Sequence, residues 1–488
     1  MPRVAAALLL TLVVSFSAGA AGHDLTTSPP TANQILPVVT GNGSGFTAAW
    51  IEPVQSHNAI GWRLASAAGE PIEGVGGAFD QTYVQSMAIA HSPSETLIVW
   101  ITNANVYAER LSPSGAPLNM IAVTSGAYAS DVAVAWNGSR YFVVWSNGYQ
   151  LVGSLIAPGG SPTPPRPFFG ELPVIGQPAP ANFELAPDVA WDGRNFVIVF
   201  GEAPNIPCVL SVCPPPSPSL GHFRVMRVSA DGAAIDSSPL TINGTHLRAH
   251  VASSGAESLI ALDGISEVSA IDAHDESGLT LDAETPLFQW YRDVSSAVAW
   301  DGTTYTVGWR YLGADPGPSW LGAAHVTQLG SPFDYRVTAS GGALPFGGTT
   351  TWGRPSIAVN EAGITAFAIS ESAGASSLAR ARLYLASELT PMPAAPSAPR
   401  NAVSYFSGNT ARIDWQDSET PAGFVLEGSW DFGKTWGFYQ SIAGDARTTS
   451  VYAYVGNLFR IRAFGSGGLS DGTITSIGSG PRRRAAGH

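Results

Sequence analysis

The segment Asp131-Val-Ala-Val-Ala-Trp-Asn-Gly-Ser-Arg-Tyr-Phe-Val-Val-Trp145 decides the fold, because the chain repeats it. Pro187-Asp-Val-Ala-Trp-Asp-Gly-Arg-Asn-Phe-Val-Ile-Val-Phe200 and Ser296-Ala-Val-Ala-Trp-Asp-Gly-Thr-Thr-Tyr-Thr-Val-Gly-Trp309 keep the same order of residues. Each copy is a short apolar strand, a tight Asn-Gly or Asp-Gly turn, and a second apolar strand ending in an aromatic. That dipeptide between β-forming residues is the strongest short-range signal for a hairpin.

Weaker copies extend the series on both sides. Val38–Trp50 turns through Gly41-Asn42-Gly43, Met87–Trp100 through Ser92-Pro93-Ser94, Val251–Leu262 at Ser254-Gly255, and Ile357–Ala368 at Asn360-Glu361. The second strands end at Trp50, Trp100, Trp145, Phe200, Leu262, Trp309 and Ala368. Their period is about 50 residues, the length of a four-stranded propeller blade with variable loops. Further alternating segments, such as Tyr107–Leu118 and Phe223–Ile235, supply the third and fourth strands. The expectation is an all-β chain: a seven-bladed β-propeller over residues 24–390. In its last blade, Leu25–Thr27 would donate the fourth strand and latch the ring. The pattern resembles the divergent propeller repeats of exported bacterial proteins, a resemblance that implies the fold and no particular activity.

Thr390-Pro-Met-Pro-Ala-Ala-Pro-Ser-Ala-Pro399 reads as a semi-extended linker over 391–399. Residues 400–478 follow, with Ala411-Arg-Ile-Asp-Trp415, Phe424-Val-Leu-Glu-Gly428 and Phe459-Arg-Ile-Arg-Ala-Phe464. These segments resemble a fibronectin type III β-sandwich, which implies Trp415 as the core tryptophan, although Asn457 stands at the usual corner tyrosine. Ser429-Trp-Asp-Phe-Gly-Lys-Thr-Trp436 resembles the Asp box of sialidase propellers, which implies a hydrogen-bonded hairpin turn. The basic tail, 479–488, is expected to be disordered.

At the other end, Arg3, the apolar run Val4–Phe16 and Ala18-Gly19-Ala20 have the three parts of a secretory signal, residues 1–20. No later run reaches the ~18 apolar residues of a membrane span. A secreted or periplasmic, soluble and monomeric protein is expected. In that compartment Cys208 and Cys213, the two cysteines, are expected to form a disulfide.

Composition narrows the partners. Charged residues make up 12% of the 488, about half the usual share, while 45% are hydrophobic, which excludes a disordered chain. A net charge of −13 argues against nucleic acid. No Walker loop, nucleophile elbow, zincin helix or dinucleotide fingerprint occurs, and neither cofactor nor metal is expected.

Candidate ligand residues cluster in the loops that form a propeller's binding face. Aromatic groups there, Phe79, Tyr83, Tyr128, Phe183, Phe288, Trp290, Tyr291, Trp320, Phe346 and Trp352, suit sugar stacking or partner anchoring. Arg248 and Arg354 both stand four residues before the alanine of a first strand, with Arg292 slightly earlier in its own unit. Such guanidinium groups facing one pocket would clamp a carboxylate. The expected site is therefore Arg248, Arg292, Arg354, Trp290, Tyr291, Trp320 and Trp352. The expected function is an exported binding protein whose partner is an extracellular glycan or protein. The alternative is a carbohydrate-active enzyme, a sialidase-like hydrolase or a lyase, with Tyr291 and Glu202 as nucleophile and partner and Asp263 or Glu371 as proton donor. Asp272-Ala-His-Asp-Glu276 and the pair His246 and His250 have metal-ligand chemistry but read better as turn and surface groups.

Overall fold

The structure is a computed structural model that describes residues 22–26, 32–53, 58–81, 83–125, 129–171, 182–204, 222–244, 246–264, 267–275, 278–290, 294–312, 319–338, 354–371, 378–407 and 409–477. Cys208 and Cys213, the signal segment and the basic tail lie outside these residues.

The repeated hairpins form where their turn residues dictate. Asn137 Oδ1 accepts the backbone N–H groups of Ser139 (2.9 Å) and Arg140 (2.8 Å), and Asp301 Oδ1 accepts those of Thr303 (2.8 Å) and Thr304 (2.7 Å). Asp192 does the same for Arg194 and Asn195. Gly138, Gly193 and Gly302 follow at φ of 91°, 91° and 99°, a region that disfavours any side chain. The flanking aromatics then meet at one spacing: Trp136–Tyr141, Trp191–Phe196 and Trp300–Tyr305 ring centroids are each 4.8 Å apart.

Between residues 22 and 391 the hairpins extend into antiparallel sheets. Ile35–Asn42 starts one, Val84–Ser92 the next, then Val132–Trp136, Asn182–Trp191, His246–Ser253, Ser295–Trp300 and Ser356–Val359. Each pairs with the strand that follows it, and that with a third. These first strands pack against one another in sequence order, and Ser356–Val359 packs back against Ile35–Asn42. The sheets therefore form a closed ring, a β-propeller. Second strands lie between two neighbouring sheets, so both their faces are covered. Every residue of Glu95–Thr102 and of Tyr141–Ser146 is buried. Tyrosines at the start of second strands tie sheets together: Tyr141 Oη donates to Glu95 O (2.7 Å) and Tyr305 Oη to Glu257 O (2.8 Å).

The last sheet is completed by the other end of the chain, near where the sequence placed the latch. The pairing with Arg380–Leu385 starts at His23–Asp24, two residues before the expected Leu25–Thr27, and Leu25 N–H continues it by donating to Ala381 O (3.1 Å). Leu25 is fully buried beside Ala381 and Leu383, so its side chain anchors the latch from within the core. Thr27 lies outside the described residues. Asp24 bridges Arg380 (2.7 Å) and Arg382 (2.8 Å).

The linker begins as part of the propeller. Thr390–Pro391 adds an edge strand to Pro332–Val337, and Met392 N–H donates to Tyr335 O (2.8 Å). Beyond it, Arg400–Ser407, Thr410–Gln416 and Thr448–Tyr452 form one sheet of a sandwich. Gly437–Ala443, Gly423–Ser429, Leu458–Gly465 and Gly468–Leu469 form the other, with Thr473–Ser476 also pairing Leu458–Gly465. Ala411, Ile413, Trp415, Phe424, Leu426, Phe459 and Ile461 fill the space between them. In the Ser429–Trp436 turn, Asp431 accepts from Ser429 Oγ, Thr435 N and Thr435 Oγ1 at 2.6–2.9 Å, and Arg460 lies 4.6 Å over the Trp436 ring.

Candidate functional site: a charged cavity on the propeller axis

Strand geometry makes the site. In each first strand, alternate residues point to the axis. Counting four back from the strand's alanine gives Asp131, Arg248 and Arg354. Counting two back gives Asp188, His250 and Ser356. All six line one central cavity of about 290 Å³, together with small and apolar residues of the seven first strands.

Some of these polar groups hold the ring together. Asp188 accepts Val189 N–H and Val251 N–H (both 3.0 Å) and faces His250 Nδ1 at 3.4 Å, joining two sheets. Ser356 Oγ accepts Val39 N–H (3.1 Å), and Ser86 Oγ accepts Val132 N–H (3.2 Å). Asp263, opposite Arg248 in its hairpin, takes Ser296 N–H (2.8 Å) and Ser296 Oγ–H. Burial raises the Asp263 carboxyl above its ordinary range, against the pull of His250, the Ser296 bonds and Arg248.

The arginines differ from these. Among the described residues neither Arg248 nor Arg354 makes a side-chain hydrogen bond or an ion pair. Burial lowers the Arg354 guanidinium to about 10, and the like charge of Arg248 acts in the same direction, against Asp131, Asp263 and Asp188. At neutral pH it stays charged, and two cations share one small cavity.

The remaining expected residues fall elsewhere. Arg292, Tyr291 and Trp352 lie outside the described residues, as do Tyr128 and Phe346. Trp290 and Trp320 are 3% and 5% exposed, in a seam against the C-terminal sandwich rather than on an open face. Trp290 meets Tyr311 at 4.8 Å and Phe464 of the sandwich at 5.6 Å, and Tyr311 Oη donates to Ser466 O (2.5 Å). With their rings covered by Phe288, Tyr311 and Phe464, these tryptophans leave no face for a sugar. Phe79 is wedged between Trp62 and Trp100, while Tyr83 is exposed.

The enzyme candidates are also dispersed. Glu202 is held bidentately by Arg224 (2.8 and 3.2 Å), and Glu371 accepts from Tyr384 Oη (2.7 Å); neither lines the cavity. His246 is buried beside Asn243 O (3.3 Å), away from His250 in the cavity. Asp272 and His274 sit with Glu257 and Asp282 in an outer part of their sheet. Among the described residues no three His, Cys, Asp or Glu side chains form a metal-binding group, and no helix is long and apolar enough to cross a membrane.

The sequence reading missed Asp131 and Asp188. The signal was present: the register that picks out Arg248 and Arg354 also picks out Asp131, and the next axial register picks out Asp188 and His250.

No family model matches this chain, and no curated protein does. Solved structures match at low identity. A prolyl endopeptidase structure shares 13% identity at TM-score 0.41, over 88% of this chain and 53% of that one. The chain thus spans about half the length of that peptidase, 53%. A structure of the Dos1 propeller shares 10% identity at TM-score 0.38, over 72% and 92%. A protein of unknown function from Dyadobacter fermentans shares 12% at TM-score 0.43, over 72% and 94%. These likenesses carry no function across. The chain is a β-propeller with an attached β-sandwich, and that statement rests on its own sheet order.

Proposed function

We propose that this is an exported, non-enzymatic binding protein. Its seven-bladed propeller takes a carboxylate of an extracellular glycan or protein in the central cavity, and a fibronectin type III-like domain is docked to its side. The observation that carries the reading is the convergence of Arg248 and Arg354, from separate sheets, on one cavity where, among the described residues, neither makes an ion pair or a side-chain hydrogen bond. Paired guanidinium groups in a small, poorly solvated space favour a planar anion with several charge-assisted hydrogen bonds. Export rests on the signal pattern of residues 1–20, and the blade count on the repeat and on the cyclic packing of first strands. The two-sheet sandwich, with three strands facing five, and the buried Trp415 support the fibronectin-like reading.

Binding is preferred to catalysis because Glu202 and Glu371 are engaged away from the cavity. The test is a panel of acidic and neutral glycans and of acidic peptides incubated with the protein, with retention and product masses read from the same samples. Retention of acidic members that falls at least tenfold in both Arg248→Ala and Arg354→Ala supports the reading. Release of product that disappears in these variants replaces it with an enzyme.

A further inference from the structure

Carboxylates at the cavity are not equivalent, and the difference says more about the ligand. Asp188, which lines the cavity, accepts two backbone N–H groups and faces His250, and Asp263, which does not line it, is tied to Ser296. Both are occupied in joining neighbouring sheets. Asp131 is not: among the described residues its side chain makes no hydrogen bond and no ion pair, although it lines the cavity. It stands in the same axial layer as Arg248 and Arg354. Around the ring, one first strand, Asn182–Trp191, separates it from Arg248, and two, Val84–Ser92 and Ile35–Asn42, separate it from Arg354. Arg248 stands between the other two, one first strand from Asp131 and one, Ser295–Trp300, from Arg354, so the layer offers two cations and one anion, with Ser86 Oγ already accepting Val132 N–H.

A ligand carrying only negative charge meets Asp131 in this space and is repelled by it. A ligand with an ammonium next to its carboxylate satisfies both poles. We propose that the cavity selects a zwitterion of the α-amino acid or short-peptide class, its carboxylate between Arg248 and Arg354 and its ammonium on Asp131. A cavity of about 290 Å³, at the small end of ligand pockets, suits a head group of that size. The proposal rests on the anion reading above and narrows it.

The test is calorimetric titration of the purified protein with the common α-amino acids and glycyl dipeptides, each also in its N-acetyl and its amide form. The expected result is binding of free forms, with both blocked forms at least tenfold weaker. Asp131→Asn should erase the N-acetyl penalty and Arg354→Ala the amide penalty. Equal binding of free and N-acetyl forms to the unaltered protein overturns the zwitterion while leaving the anion reading in place. Binding of acidic glycans alone, through the same arginines, does likewise. Absence of any carboxylate ligand removes both. The comparison of blocked ligands needs no variant, so misfolding of Asp131→Asn does not blunt it.

Discussion

At the scale of single residues, axial position decides which charged groups serve the fold and which face a ligand. Asp272 shows the cost of charge placed off the axis. It is 3% exposed, and burial, with Glu257 nearby, pushes its carboxyl up to about 7, His274 pulling the other way and Asp282 adding to the rise. A carboxyl whose folded pKa is raised binds its proton more tightly in the folded state. Its contribution is full below the ordinary value of 3.8 and is lost as pH rises through about 7. Denaturant titrations should therefore show the protein losing on the order of a few kcal/mol between pH 4 and 8 relative to Asp272→Asn. Parallel curves for the two proteins would contradict this. The axial arginines were legible from their register, and Asp131 was equally so. Trp290 and Trp320 were not, because a loop tryptophan looks alike in sequence whether a distant domain covers it or solvent does.

Elements follow local chemistry closely. The Asn-Gly and Asp-Gly turns, the second strands and the Ser429–Trp436 hairpin all form where residue types require, since each turn satisfies its own backbone donors. The latch starts two residues before its expected place because it is a short long-range pairing, with no periodicity to mark it. Its energy lies in Leu25 rather than in ion pairs. Leu25→Ala should lower stability by about 2–5 kcal/mol, whereas Asp24→Ala, which removes partly exposed bridges, should cost only about 1 kcal/mol or less for each. Chemical denaturation of the two variants separates these outcomes, and equal losses would place the latch energy in the charges instead.

On the scale of the whole molecule, the sandwich is seated on the propeller rather than held at a distance. Val425 and Phe464 are fully buried in the same cluster as Trp290, Trp309 and Tyr311. The linker is stitched down at both ends. A Cβ on Gly467 would lie 2.2 Å from Pro393 O, so only glycine permits that approach. Phe464→Ala should cost about 3–5 kcal/mol at the seam. Calorimetry is expected to show one unfolding transition for the unaltered protein and two for Phe464→Ala. Two transitions already present in the unaltered protein would show that the two parts are energetically independent.

The sequence by itself determined the repeat and the hairpins, because each is written in contacts between residues near in the chain. It also turned Arg248 and Arg354 toward the axis, since side-chain alternation in a strand is a local rule. Only the tertiary structure decided that Asp131 makes no ion pair among the described residues, that Asp188 is taken up in joining sheets, and that Glu202 and Glu371 are engaged away from the cavity. It alone showed that the tryptophans of the expected binding face belong to a seam. These outcomes depend on ring closure and domain docking, which bring together residues hundreds of positions apart and leave no periodic trace.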